Sequence, residues 1–268
     1  MRGTRQGPGL ALLPGLVGLS FLALPLVGLV VRAPWSDLGR ILAAPDVLSS
    51  LWLSLWTSAV ATVCAVVLGL PLAWLVARGP ARTRRLLRTL VTLPLVLPPV
   101  VGGVALLVVL GRTGVVGRWL DTWFDVTLPF TPAAVVLAQT FVAMPVLVLT
   151  VEGALRSADQ RYEEAATCLG ASHTVVLLRV TLPLVAPSLA AGAVLAWARA
   201  LGEFGATVTF AGSFPGRTQT LPLSVYRALD SDPPAALALS LVLLAVCVLV
   251  LVGLRRHWGA AALPGSRA

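Results

Sequence analysis

The chain predicts an all-α polytopic membrane protein with six transmembrane helices. Three observations carry that prediction. Hydrophobic residues make up 57% of the 268 residues and charged residues 12%, with a mean hydropathy of +0.92. A water-soluble domain of this size cannot hide so much apolar surface, so lipid must be its main solvent. The apolar residues gather into six segments, near residues 10–31, 51–76, 91–110, 133–151, 184–200 and 235–254. Each approaches the roughly 20 residues that cross about 30 Å of hydrocarbon. The third observation is an uneven division of arginines among the connecting loops.

The first segment follows Arg2 and Arg5, as a secretory leader would. Its apolar run exceeds the roughly 7–15 residues of a leader core, and no small-x-small cleavage site follows, so it is expected to be retained. All six segments are expected to be helices, because unpaired backbone groups are too costly in lipid. The third carries Pro94, Pro98 and Pro99, then Gly102 and Gly103, and is expected to kink or break in its first half. The connector from Gly212 to Pro234 is rich in Pro, Gly, Ser and Thr, and its middle, residues 221–229, reads as a short surface helix.

With the N-terminus inside, the inner segments hold Arg2, Arg5, Arg78, Arg82, Arg84, Arg85, Arg88, Arg156, Arg161, Arg179, Arg255, Arg256 and Arg267. The outer ones hold Arg32, Arg40, Arg112, Arg118, Arg217 and Arg227, while Arg199 falls at a span. Thirteen against six puts both termini in the cytoplasm. No soluble domain or internal repeat is visible, so residues 1–268 read as one transmembrane domain with an inner loop near residues 152–183.

Charge and composition also exclude functions. The net charge of +9 is spread through loops rather than gathered into a basic domain, which argues against nucleic acid as a partner. All twenty basic residues are arginine. Without lysine there is no standard P-loop, whose lysine reaches the β- and γ-phosphates, and no Schiff-base chemistry. Any ATP must be hydrolysed on another polypeptide. Cys64, Cys168 and Cys247 are scattered, and His173 and His257 stand alone. No metal site, cofactor or hydrolase motif is expected.

The inner loop carries the most informative pattern: Glu164-Ala165-Ala166-x3-Gly170-x9-Val180-x-Leu182-Pro183, directly preceded by Glu163. Its first residues form helix readily, and Gly170 supplies the turn that ends such a helix. The spacing resembles the EAA loop of permease subunits in binding-protein-dependent ABC importers. In that family the loop forms the coupling helix, which fits a groove on a partner ATPase. The resemblance makes Glu163, Glu164, Ala165, Ala166, Gly170, Leu182 and Pro183 the expected ATPase-coupling residues. It also implies the type I importer permease fold in the bacterial cytoplasmic membrane.

In the fifth segment Ser188, Gly192, Ala196 and Ala200 recur every four residues, a small-residue stripe that permits close helix approach. It suits packing within one subunit, a central pathway or a dimer contact equally. Arg199 and Glu203 follow at a spacing that lets them pair, as a structural ion pair or as a substrate contact. The surrounding residues, Arg199 to Gly212 and then Pro215 to Tyr226, resemble molybdate permeases, with sulfate/thiosulfate permeases carrying a related stretch. The match departs at Ser213-Phe214, where Asn-Ile is more usual.

The resemblance implies an importer subunit that moves molybdate by alternating access. Its implied partners are a second copy of itself, two ABC ATPase subunits and an extracytoplasmic molybdate-binding protein. Tungstate and sulfate share the anion's charge and shape, and a non-transporting receptor or scaffold is the reading from another class. Thr207, Thr209, Ser213, Thr218, Gln219 and Thr220 are neutral donors able to solvate a tetrahedral dianion without trapping it. Phe204, Val208 and Phe210 suit a gate equally well.

Overall fold

The computed structural model describes residues 9–261, and within them every element is helical. Arg2, Arg5 and Arg267 of the topology argument lie outside the described residues. In chain order the helices are α1 (Gly9–Val31), α2 (Leu38–Leu42), α3 (Pro45–Arg78), α4 (Ala81–Val96), α5 (Pro99–Leu110), α6 (Gly117–Phe124) and α7 (Pro132–Ser157). They continue with α8 (Arg161–Cys168), α9 (His173–Val176), a π-helical turn (Leu177–Thr181), α10 (Leu182–Leu201), α11 (Gly205–Ala211), α12 (Leu221–Ser231) and α13 (Pro233–Ala261). Five segments are long and apolar enough to cross a membrane; α4 and α5 pass the same test only as a pair, and counting that bent pair as one span brings the number to six.

α7 forms the centre, with α3 and α10 packed against it. Thr131 caps it, its Oγ1 accepting the Ala134 N–H at 3.3 Å, and Pro132 opens its first turn without losing a bond. In lipid there is little hydrophobic gain from bringing helices together, so close contact depends on small residues. α3 supplies them along most of its length: Ser50, Ser54, Ser58, Ala61, Ala65, Gly69, Ala73 and Ala77 are all buried. On α10, Gly192 faces Thr150 and Leu147 of α7, and Ala196 and Ala200 are fully buried. The stripe anticipated in the fifth segment therefore lies against α7 of the same chain. α1, by contrast, is peripheral, with its central window unburied.

The third segment departs from a single crossing. α4 begins ten residues before the expected start, and α4 and α5 meet at 116°. Leu97 is extended, with ψ 135°, because the ring of Pro98 disfavours helix in the residue before it. Pro99 then starts α5 as a first-turn proline. α12 departs as well. It runs to Ser231 rather than ending at 229, and although its outer face lies at the surface as expected, its first turn is docked. Leu221 and Leu223 are buried, the Leu221 N–H donates to Ser54 Oγ at 2.6 Å, and Ser224 Oγ lies 2.8 Å from Ser50 Oγ.

Candidate functional site

Two short helices, α8 before α10 and α11 after it, carry the sequence-predicted site residues together with the residues that flank them. α8 follows the C-terminus of α7, near the end of α3. Its start is fixed by Asp159, whose Oδ1 accepts the Arg161 N–H at 3.0 Å. Glu163 and Glu164 fill the first turn, where the helix dipole favours negative charge. Its end is a Schellman turn: the Gly170 N–H donates to the Thr167 carbonyl at 2.9 Å, and the Ala171 N–H to the Ala166 carbonyl at 3.0 Å. Gly170 sits at φ +86°, with open space where a side chain would stand. The demand for glycine is therefore conformational and not a matter of crowding.

No residue of α8 is buried in its own chain. Tyr162 is 61% exposed, and Leu169, just before the turn glycine, is 88% exposed. Seven positions apart, the two lie on one side of the helix and its turn, uncovered by their own chain. Neither residue was singled out from sequence, although a large aliphatic side chain beside a turn glycine was a usable signal. Glu164 and Ala165 are exposed with them. Glu163 points the other way. Its Oε1 accepts from Arg78 Nη2 at 3.3 Å and from Thr181 Oγ1 at 3.0 Å, tying α8 to the end of α3 and to the π turn. The two adjacent glutamates thus face different neighbours, one inward and one to solvent. Leu182 and Pro183 open α10 immediately after that turn, and Leu182 borders an apolar cavity of about 290 Å³ with Leu70, Trp74 and Leu155.

At the other end α10 stops at Gly202 and α11 starts afresh. Glu203, 1% exposed, holds the junction. Arg199 Nη1 donates to its Oε2 at 2.7 Å, and the Ala206 N–H donates to its Oε1 at 2.9 Å. Both carboxylate oxygens are therefore used, one in an ion pair and one in capping α11. α11 lies against α5 and α7, and the approach to α5 is close. A Cβ on Gly103 would stand 2.8 Å from the Ala206 carbonyl, and one on Gly205 2.7 Å from Pro99 Cβ.

The expected gate residues separate in space. Phe210 is fully buried in a cluster with Ala134, Val135, Ala138 and Val142. Phe204 instead packs against Tyr226, with ring centroids 5.0 Å apart and planes tilted by 50°, and Val208 is half-buried. Thr207 is fully buried, and its hydroxyl has no partner among the described residues. The same holds for both amide atoms of Gln139 on α7. Gln139 was missed from sequence, although it is the one amide side chain in its segment, and polar groups inside a membrane span are functional candidates by default. Thr218 accepts the Phe214 N–H at 3.1 Å, and Gln219 accepts from Arg227 at 3.2 Å.

Residues 65–257 match the binding-protein-dependent transport system inner membrane components. The chain belongs to that family. It is 50% identical over 241 residues to the molybdenum transport system permease protein ModB of Mycobacterium tuberculosis, covering 90% of this chain and 91% of the relative. It is 38% identical over 206 residues to ModB of Escherichia coli, covering 77% and 90% respectively. The fold is similar to that of a bacterial ABC transporter involved in the import of the acidic polysaccharide alginate, with a TM-score of 0.75 at 17% identity. That match covers 94% of this chain and 95% of the other. This ABC importer permease is thus a transport subunit of multi-pass membrane type.

Proposed function

We propose that this permease is the membrane subunit of an ATP-driven molybdate importer, working as a homodimer in the cytoplasmic membrane. One chain offers one coupling helix, so two copies about a two-fold axis would present two, one to each ATPase subunit. ATP binding would draw the ATPase pair together and pull both α8 helices with it. The spans would then rock between inward-open and outward-open states, accepting the anion from a docked extracytoplasmic binding protein. In this reading ATP hydrolysis belongs to the partner.

The observation that carries the proposal is α8: a short helix fixed by turns at both ends, with the apolar Tyr162 and the adjoining Leu169 left bare. The substrate rests on the 50% identity to a molybdenum permease. Pathway roles for Arg199, Glu203, Phe204, Thr207, Val208 and Phe210 belong to the same proposal. Because Glu203 and Phe210 are wholly enclosed in this conformation, they would reach an anion only after α11 moves.

Uptake of labelled molybdate into reconstituted vesicles, challenged with tungstate and sulfate, tests the substrate. Suppression by tungstate and persistence under sulfate is expected, whereas preferential suppression by sulfate would move the chain to the sulfate class. A scaffold would show no ATPase stimulation by the binding protein across the membrane.

A further inference from the structure

We propose a second anion site, distinct from the pathway residues, at the α8 end of the bundle. A cleft of about 240 Å³ between α4 and the last turn of α7 is lined by Ala81, Arg84, Arg85, Arg88 and Arg156. By comparison, one water needs only about 10–15 Å³ of such space. No acidic residue lines it. The acid nearest in contact is Glu152 on α7, whose side chain is 3% exposed. Its Oε1 lies 2.8 Å from Arg156 and 3.8 Å from Arg88, so one carboxylate oxygen serves both. Arg84 and Arg85 make no ion pair among the described residues.

Four arginines therefore line one space with a single carboxylate in contact with two of them, an excess of three positive charges. Like charges so gathered repel, and an anion in the cleft relieves the repulsion. Glu152 Oε1 forms an ion pair but no hydrogen bond with Arg88 and Arg156, which leaves their N–H donors for another acceptor. A guanidinium presents two parallel donors that match the oxygens of a tetrahedral oxyanion. The ligand class is a phosphate-like oxyanion. Leu86, Leu90 and Leu93 are exposed on the same helix, so the source is either a phospholipid headgroup whose chains lie along them or a free oxyanion. The site rests on this geometry and not on the molybdate reading.

The test uses the full chain in neutral detergent, stripped of lipid. Its melting midpoint is followed against sodium phosphate, sodium molybdate and phosphatidylglycerol, with phosphatidylcholine as the neutral control. Retained lipid is counted by native mass spectrometry. Arg84→Gln with Arg85→Gln removes two donors that touch no acid, so the ligand-free melting point should be unchanged while binding weakens tenfold or more. Arg85→Lys keeps the charge but loses the paired donors and should weaken binding severalfold. Arg82→Gln with Arg179→Gln removes the same charge outside the cleft and should leave binding intact. Response to the free salts assigns the site to a soluble oxyanion, and response to phosphatidylglycerol alone assigns it to a headgroup. Absence of both responses, or equal loss in the Arg82/Arg179 pair, overturns the proposal.

Discussion

α8 and α11 are nearly the same length, eight and seven residues, and they are packed in opposite ways. α11 buries Gly205, Ala206, Thr207, Phe210 and Ala211 between α5 and α7, with backbone contacts so close that only glycine fits at two positions. α8 buries nothing and is held by its two ends and one glutamate. The difference teaches where the chain is complete by itself. α11 finds its packing partners within the subunit, so its geometry is set by this sequence alone. α8 carries apolar surface that its own chain never covers, which is what a helix meant for another protein requires.

The contrast breaks most severely at Gly170. A valine there would have to adopt a left-handed backbone, costing about 1–3 kcal/mol, or abandon the Schellman turn and swing α8 away. Because α8 buries no residue and its side-chain ties to the rest of the chain run through Glu163, the protein should still reach the membrane. Gly170→Val is therefore expected to abolish uptake at wild-type abundance, measured as labelled molybdate uptake beside quantified membrane protein. Glu164→Arg should do the same by reversing charge on the exposed face. Normal uptake in either variant would remove α8 from the coupling role.

The next effect separates the two neighbouring glutamates. Glu163→Gln keeps a hydrogen-bond acceptor but deprives Arg78, with a side chain 13% exposed, of its counter-charge. Hydrogen bonds to charged groups are worth about 1.5–3 kcal/mol, so the tie between α8 and α3 should loosen rather than vanish. The expected signature is a transporter whose ATPase still turns over but responds weakly to the binding protein. Arg78→Gln should look the same. If Glu163→Gln leaves stimulation intact, α8 is positioned by its end turns alone.

How much of this was legible in the sequence follows the same division. The spans, the Gly170 stop and the spacing that pairs Arg199 with Glu203 are local patterns, and periodicity or i,i+4 reach is enough to read them. The tie from Glu163 to Arg78 crosses 85 positions, and no local pattern encodes it. α11 was invisible for another reason: seven residues flanked by glycines give too short a run for apolar periodicity. α12 was legible as a surface helix, but the docking of its first turn, where Ser224 meets Ser50 and the backbone meets Ser54, joins positions too far apart for a local pattern to encode. The break at Pro98 was readable, but its 116° angle depends on what α5 packs against. The small-residue stripe of α3 was there to be read, with the same period as that of α10.

The α11 end can be tested more finely at Glu203. Swapping the pair, Arg199→Glu with Glu203→Arg, restores opposite charges but leaves the Ala206 N–H with no acceptor, because arginine only donates. The swap should therefore stay destabilised by about 1–3 kcal/mol, the cost of an unsatisfied buried donor, even if the ion pair is purely structural. Glu203→Gln keeps an acceptor and should be milder than either Glu203→Ala or the swap. Thermal melting of the purified chain gives the order, and equal melting of the swap and the wild type would show that the cap contributes nothing.

The smallest effect concerns α6, at the same end. Asp121 accepts from Arg112 Nε and from Thr127 Oγ1, both at 3.1 Å. The Arg112 hydrogen bond chiefly, with the Thr127 bond and the arginine's charge, holds its carboxyl below the usual value of 3.8. A carboxyl lowered on folding stabilises above its ordinary value, and that contribution disappears as pH falls through the lowered one. Amide exchange in residues 121–127 should therefore accelerate as pH drops below about 4, after correction for intrinsic rates. Asp121→Asn should show that faster exchange already at neutral pH, with uptake unchanged because Asp121 is bonded within its own loop and makes no contact with α8 or α11. An acid response that persists undiminished in Asp121→Asn would assign the loosening to another group.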